Sequence, residues 1–188
     1  AALFSEAALI RFRVRVEAAW YRQLAQSGRF AAIASPPPAL ENCLGALARG
    51  VDDAGVQRVK ELERQTNHDV KAVEYYVRER LTAADARAEQ LEFVHFACTS
   101  EDINNLSYAL MLVEAREGVL LPVINQVADG LAVLAVRHAA TAMLSRTHGQ
   151  PASPTTLGKE AANFCARLRR AANALLRVEV LGKWNGAV

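Results

Sequence analysis

Apolar residues recur at steps of three and four along most of this chain, with polar residues falling between them as a helix requires. From Leu9, the positions Phe12, Val16, Ala19, Trp20 and Leu24 predict one buried stripe on a helix of about six turns, with an Arg-rich outer face and a stop at Gly28. Pro36, Pro37 and Pro38 then force an extended link, because each proline lacks an amide and restricts the residue before it. Helices are predicted over 39–48 and 53–65, and Val70, Val73, Tyr76 or Val77, and Leu81 place another over 69–81. Beyond an alanine- and charge-rich connection at 82–90, the pattern changes to longer, more apolar helices at 91–97, 102–117, 120–142 and 156–180. Their seams are narrow: Ile103, Leu106, Leu110 and Val113, then Val127, Leu131, Leu134 and His138, then Phe164, Leu168, Ala172 and Leu175. Long helices with such seams pack as a bundle. Pro122 suits a first turn, where a missing amide costs nothing. The change of style sets a domain boundary near residue 88, with a small N-terminal helical domain over 1–88 and an incomplete helical bundle over 89–188.

Composition sharpens this to an all-α fold. The chain has 188 residues, is 52% hydrophobic and buries a real core, yet only 6% of it is aromatic and 36 residues are alanine, the best helix former. Lys and Arg alternate with Asp and Glu to a net charge of +2, without a basic block, which argues against nucleic acid as a partner. Cys43, Cys98 and Cys165 are odd in number and far apart, so they support neither disulfides nor a zinc site and fit a reducing cytoplasm. No uninterrupted apolar run approaches the roughly 20 residues that span a bilayer, so no membrane partner is expected. The chain opens without Met inside what reads as a helix, from which a missing N-terminal piece is expected.

Three polar runs interrupt the helical pattern, and a scaffold gains nothing from them. They are TNHDVKAVEYY at 66–76, CTSEDINN at 98–105 and SRTHGQPASPTTLGKE at 145–160. Thr66 to Asp69 and Thr99 to Asp102 each match a cap followed at the third position by an acid, which places both at helix N-termini. Either motif serves as ordinary capping, or its free amides, with the hydroxyls of Thr99 and Ser100, bind a phosphate or carboxylate. Asn67, His68 and Asp69 in sequence favour the second use for the first motif. His148 lies in a loop that Pro151 and Pro154 keep out of the adjoining helices, so its imidazole is placed to exchange a proton near neutral pH, with a buried structural role as the competing reading. His95 and His138 sit on apolar stripes and read as structural or interfacial; Lys159 is either an anion contact or an ion-paired helix-start lysine. No metal-ligand spacing, glycine-rich phosphate loop or dinucleotide fingerprint is present.

Together, TNHDVKAVEYY, FVHFACTSEDINNLSYALML and LSRTHGQPASPTTLGKE resemble the adenylosuccinate lyase family of the fumarase and aspartase superfamily, over nearly the whole chain. TSEDINN at 99–105 is the discriminating run, since sister lyases carry other residues there, whereas THGQ-type loops occur throughout the superfamily. The resemblance implies a fumarase/aspartase-type helical bundle and cofactor-free, reversible elimination of fumarate from adenylosuccinate and from the succinyl-carboxamide ribotide of purine synthesis. It also implies His148 as general acid, His68 in support, and Asn67, His68, Asp69, Thr99 and Ser100 as substrate contacts. The family's general base is a serine on a downstream glycine- and serine-rich loop, and nothing like it occurs in these residues. Its early Arg-Tyr nucleotide motif is also missing, and its sites draw on three subunits of a homotetramer. This stretch alone is therefore expected to be inactive. Two readings compete with this one: a sister lyase acting on another succinyl or amino-acid substrate, and a noncatalytic helical assembly module.

Overall fold

Helix α1, Glu6–Gln26, begins where the Ser5 hydroxyl accepts the Ala8 amide at 3.2 Å, and the chain leaves it through left-handed Gly28. In the computed structural model, which describes residues 3–184 and 186, the next elements are α2 (Pro38–Arg49), α3 (Asp53–Thr66), α4 (Asp69–Thr82), α5 (Ala88–Leu91) and α6 (Ser100–Ala115). A π-helical turn, Arg116–Leu120, leads into α7 (Leu121–Arg137). Strands β1 (Ala142–Thr147) and β2 (Gln150–Thr156) and helix α8 (Leu157–Leu176) follow. Packing divides the chain into two units, Ala1–Leu112 with Leu181–Val188, and Val113–Val180. That division is drawn by contacts, whereas the boundary expected near residue 88 marks a change in helix length and apolarity.

In the first unit α1 is buried on nearly every side, through Ala8, Ile10, Phe12, Val14, Val16, Ala18, Tyr21 and Leu24. The single stripe expected from the sequence is thus too narrow, because α2, α3 and α4 all pack against α1. The main core joins Val14, Tyr21, Leu40, Leu44, Val59, Val73, Val77 and Leu81. Asp52 caps α3 by accepting the Gly55 amide at 2.9 Å. A β-carbon on Gly55 would stand 2.6 Å from the Tyr76 hydroxyl, so only glycine lets α3 and α4 approach this closely. A smaller cluster of Val16, Val70 and Ile103 seats the first turns of α4 and α6 beside α1. The helix expected over 91–97 stops at Leu91. His95 and Ala97 are left-handed, with φ of 61° and 56°, and Phe93 and Phe96 fold onto Phe30 with ring centroids 5.1 and 5.3 Å away.

In the second unit α7 and α8 run antiparallel, as Arg116 bonding the Val178 carbonyl and Asp129 pairing with Arg169 at 2.9 Å show. The break expected between residues 117 and 120 is instead the π turn, closed by the Leu121 amide on the Arg116 carbonyl. It stands directly before Pro122, whose ring has no amide to give a helical ladder. The proline-broken stretch read as a loop is an antiparallel hairpin, so the mostly helical fold carries one small sheet. Pro151 and Pro154 are tolerated because β2 pairs on one side only, with an irregular register between Leu144 and Arg146. Thr156 caps α8 by accepting the Lys159 amide at 3.1 Å. Counted through the π turn, Ser100–Arg137 is one 38-residue helix, long and apolar enough by length and composition to cross a bilayer; 6% of its most apolar window is buried. Divided into the two segments expected at 102–117 and 120–142, the same residues do not reveal that length. Helices at the centre of a bundle carry the same signature.

Candidate active site

The first polar run is a sharp junction between α3 and α4. Asn67 ends α3 in the left-handed conformation, φ 51°, its amide donating to the Glu63 carbonyl at 2.8 Å. His68, not Thr66 as expected, caps α4: its Nδ1 accepts the Lys71 amide at 3.2 Å. An imidazole that accepts at Nδ1 is neutral and carries its proton on Nε2, which makes exposed His68 a hydrogen-bond donor. Thr66 supports the turn instead, exchanging hydrogen bonds with the His68 backbone through its hydroxyl. Asp69 is committed within the chain, its Oδ1 accepting the Val70 amide at 2.9 Å and its Oδ2 the Arg13 guanidinium at 2.6 Å. Partial burial pushes its pKa up, but the Val70 amide and Arg13 outweigh this and hold the carboxyl below its ordinary value.

The second run opens α6 as the sequence predicts. Buried Asp102 accepts both the Thr99 amide at 2.8 Å and the Thr99 hydroxyl at 2.9 Å on one oxygen. The Thr99 hydroxyl proton is therefore used inside the chain, while half-buried Ser100 starts the helix. The Asp102 amide in turn donates to the Thr99 carbonyl at 3.1 Å, which closes the first turn of α6.

What joins the two junctions is Arg13, a residue the sequence reading assigned to an outer Arg-rich face. Its side chain is 7% exposed; Nη2 holds Asp69 and Nε donates to Asn104 Oδ1 at 2.8 Å. One turn later, Glu17 has a side chain 0% exposed, and its Oε1 lies 2.5 Å from His95 Nδ1. Burial pushes the Glu17 carboxyl up, and its bond and charge contact with His95 do not offset this. Burial pushes the His95 imidazole down, yet the Glu17 carboxylate outweighs it and the net direction is up. Nearby Cys98 is pushed up to about 12, chiefly by burial. His95 is thus not on the apolar helical stripe expected for it. It stands in a turn with two left-handed residues, each of which costs roughly 1–2 kcal/mol. Arg13 and Glu17 were legible only as two opposite charges four apart inside an apolar run.

His148 belongs to the second unit. With Gly149 it forms the two-residue turn of the hairpin, both at positive φ (51° and 77°), the primed geometry that matches the twist of paired strands. The imidazole is exposed at the tip. His138 ends α7 with Nδ1 3.3 Å from the Thr141 hydroxyl, and Lys159 pairs with Glu160 at 3.0 Å. Among the described residues no group of three His, Cys, Asp or Glu side chains is placed to hold a metal ion. An open cavity of about 380 Å³ lined by Cys43, Leu47, Asp52, Tyr76 and Arg80 includes none of the expected catalytic or substrate-contact residues.

Residues 1–188 match the protein family described as Lyase. The adenylosuccinate lyase of Escherichia coli (strain K12) is 48% identical over 189 residues, covering 99% of this chain and 41% of that protein. That of Vibrio cholerae is 47% identical over 186 residues, with 99% and 41% covered. Among solved structures, a fumarate lyase from Mesorhizobium sp. BNC1 superposes with a TM-score of 0.73 at 25% identity, over 98% of this chain and 41% of that one. The β-carboxy-cis,cis-muconate cycloisomerase of Acinetobacter calcoaceticus sp. ADP1 reaches a TM-score of 0.74 at 20% identity, over 99% and 42%, a likeness of fold alone. The chain spans about two fifths of the length of these relatives, 41% for the first two. The family match nevertheless leaves no part of it outside: the chain belongs to the lyase family.

Proposed function

We propose that this chain is part of an adenylosuccinate lyase, a cytoplasmic homotetramer that eliminates fumarate from adenylosuccinate to leave AMP, and from the succinyl-carboxamide ribotide to leave the free carboxamide, without a cofactor. The observation that carries this reading is the 46–48% identity to adenylosuccinate lyases across 98–100% of the chain. Eliminating fumarate needs a base for the proton beside a carboxylate and an acid for the departing nitrogen. His148 is the acid, at the tip of a two-residue hairpin turn short enough to hold it in place. His68 offers its Nε2 proton to the substrate, with Asn67 beside it. Ser100 and the first amides of α6 hold a substrate anion at the positive end of the helix, and Thr99, with both donors on Asp102, lines that helix start. Asp69 contributes by fixing this junction through Arg13. The base is the serine of a downstream loop that lies outside these 188 residues, so this stretch alone gives no turnover.

The test is full-length protein mixed with adenylosuccinate while absorbance follows fumarate release. His148→Ala is expected to lower kcat by about 10²–10⁴-fold, the usual contribution of a general acid. An unchanged rate removes His148 from that role. Running other succinyl and amino-acid substrates in the same assay tests the sister-lyase reading, which the fold-level neighbours keep open.

A further inference from the structure

Between α5 and α6 the chain turns left-handed twice within three residues, at His95 and Ala97, just before Thr99 and Ser100. Neither is glycine, and such conformations persist only where the surroundings over-determine them. Here the surroundings are three side chains of α1 at helical spacing. Glu17 holds the His95 ring, Trp20 Nε1 donates to the Phe96 carbonyl at 2.9 Å, and Arg13 holds Asn104 one turn into α6. Of these, Glu17 is the hardest to explain by packing. A fully buried carboxylate is costly, and an apolar residue at 17 would simply extend the core of Val14, Ala18 and Tyr21. Its second oxygen has no hydrogen-bond partner among the described residues, so His95 is what the carboxylate serves. Glu74 and Lys71, which also act electrostatically on His95, pair with each other at 2.7 Å.

We propose that Glu17 is a positioning residue: by fixing the His95 ring it holds the 95–98 turn, and so sets where the Thr99–Ser100 start of α6 meets the substrate anion. The second half of this assignment rests on the functional reading given above.

The experiment uses full-length protein carrying Glu17→Gln, which keeps the shape and removes the charge. KM and kcat for adenylosuccinate are measured beside amide hydrogen exchange. An anion site loosened equally for substrate and transition state raises KM and spares kcat; about tenfold in KM is expected, the scale of one lost charge-assisted bond, with kcat within about twofold. Exchange is expected to quicken over 95–101 and to stay unchanged over α2 and α3. Wild-type KM with wild-type exchange over 95–101 overturns the proposal. So does faster exchange throughout α1 to α4 with kcat falling in step, which marks Glu17 as a mere fold element. If the unmodified protein does not act on adenylosuccinate, the functional reading falls, and the exchange over 95–101 alone decides whether Glu17 holds the turn. If Glu17→Gln does not fold, His95→Gln, which removes the other partner, is read by the same outcomes.

Discussion

Arg13 and Glu17 stand one turn apart on the most buried helix of the first unit, and each tolerates burial because specific partners meet it, Asp69 and Asn104 for Arg13 and His95 for Glu17. Replacing Arg13 by Met keeps the bulk and leaves Asp69 and Asn104 without their donor. A loss of about 2 kcal/mol is expected for bonds to a charged group, or roughly 4–8 °C in Tm for a chain of this size. Thermal unfolding checks this, and a Tm within a degree of wild type contradicts it. The ionisable groups also give opposite pH limbs. Asp69 is lowered in the folded chain, so its contribution is present above the ordinary carboxylate value of 3.8 and is lost as pH falls through the lower folded value. His95 is raised by the Glu17 carboxylate, so the folded chain keeps a proton there that the unfolded chain releases. Its contribution is complete below 6.5 and is lost as pH rises through the folded value. Tm is therefore expected to decline as pH rises above about 6.5, and less steeply in His95→Gln. Equal slopes for the two proteins contradict the pairing.

At the scale of elements, glycines separate helices that merely tolerate a missing side chain from those that need one. A β-carbon on Gly45, inside α2, would meet nothing closer than Arg49 Nη1 at 3.8 Å. Gly45→Ala should stabilise by about 0.5–1 kcal/mol through helix propensity and a less flexible unfolded chain. Gly158, at the start of α8, is the contrary case, since its β-carbon would sit 2.7 Å from Ala139, just past the end of α7, and closer still to the Ala135 carbonyl within it. Gly158→Ala should destabilise by about 1–3 kcal/mol, because one of the two helices must move. Denaturant melts of both variants measure the contrast, and a matching sign refutes it. Helices over 38–49, 53–66 and 69–82 fall within about a residue of their predicted bounds, since each has a strong period and a stop signal. The hairpin was hidden because its prolines and polar residues carry no alternation, and its pairing comes from the His148–Gly149 turn.

For the whole molecule, the second unit keeps much of its apolar surface in solvent. Val123, Val127, Leu134 and Phe164 are exposed, and Val136 is 80% exposed. Faces of this kind on bundle helices are ordinarily covered by other helices. The 20.4 kDa chain by itself is expected to self-associate, with sedimentation heavier than that mass and growing with concentration. Val136→Lys should weaken this, and a strictly monomeric wild-type chain over the micromolar range would show the face to be self-sufficient.

The helical class, most helix positions and the three polar runs follow from the sequence by itself, because periodicity, caps and turn residues act over a few neighbouring positions. Only the tertiary structure decided that Arg13 and Glu17 face inward, that Asp69 is tied to Arg13, and that His95 takes a left-handed turn. Those outcomes depend on partners 56 to 91 residues away along the chain, and a local pattern carries no information about which buried charge will find which partner.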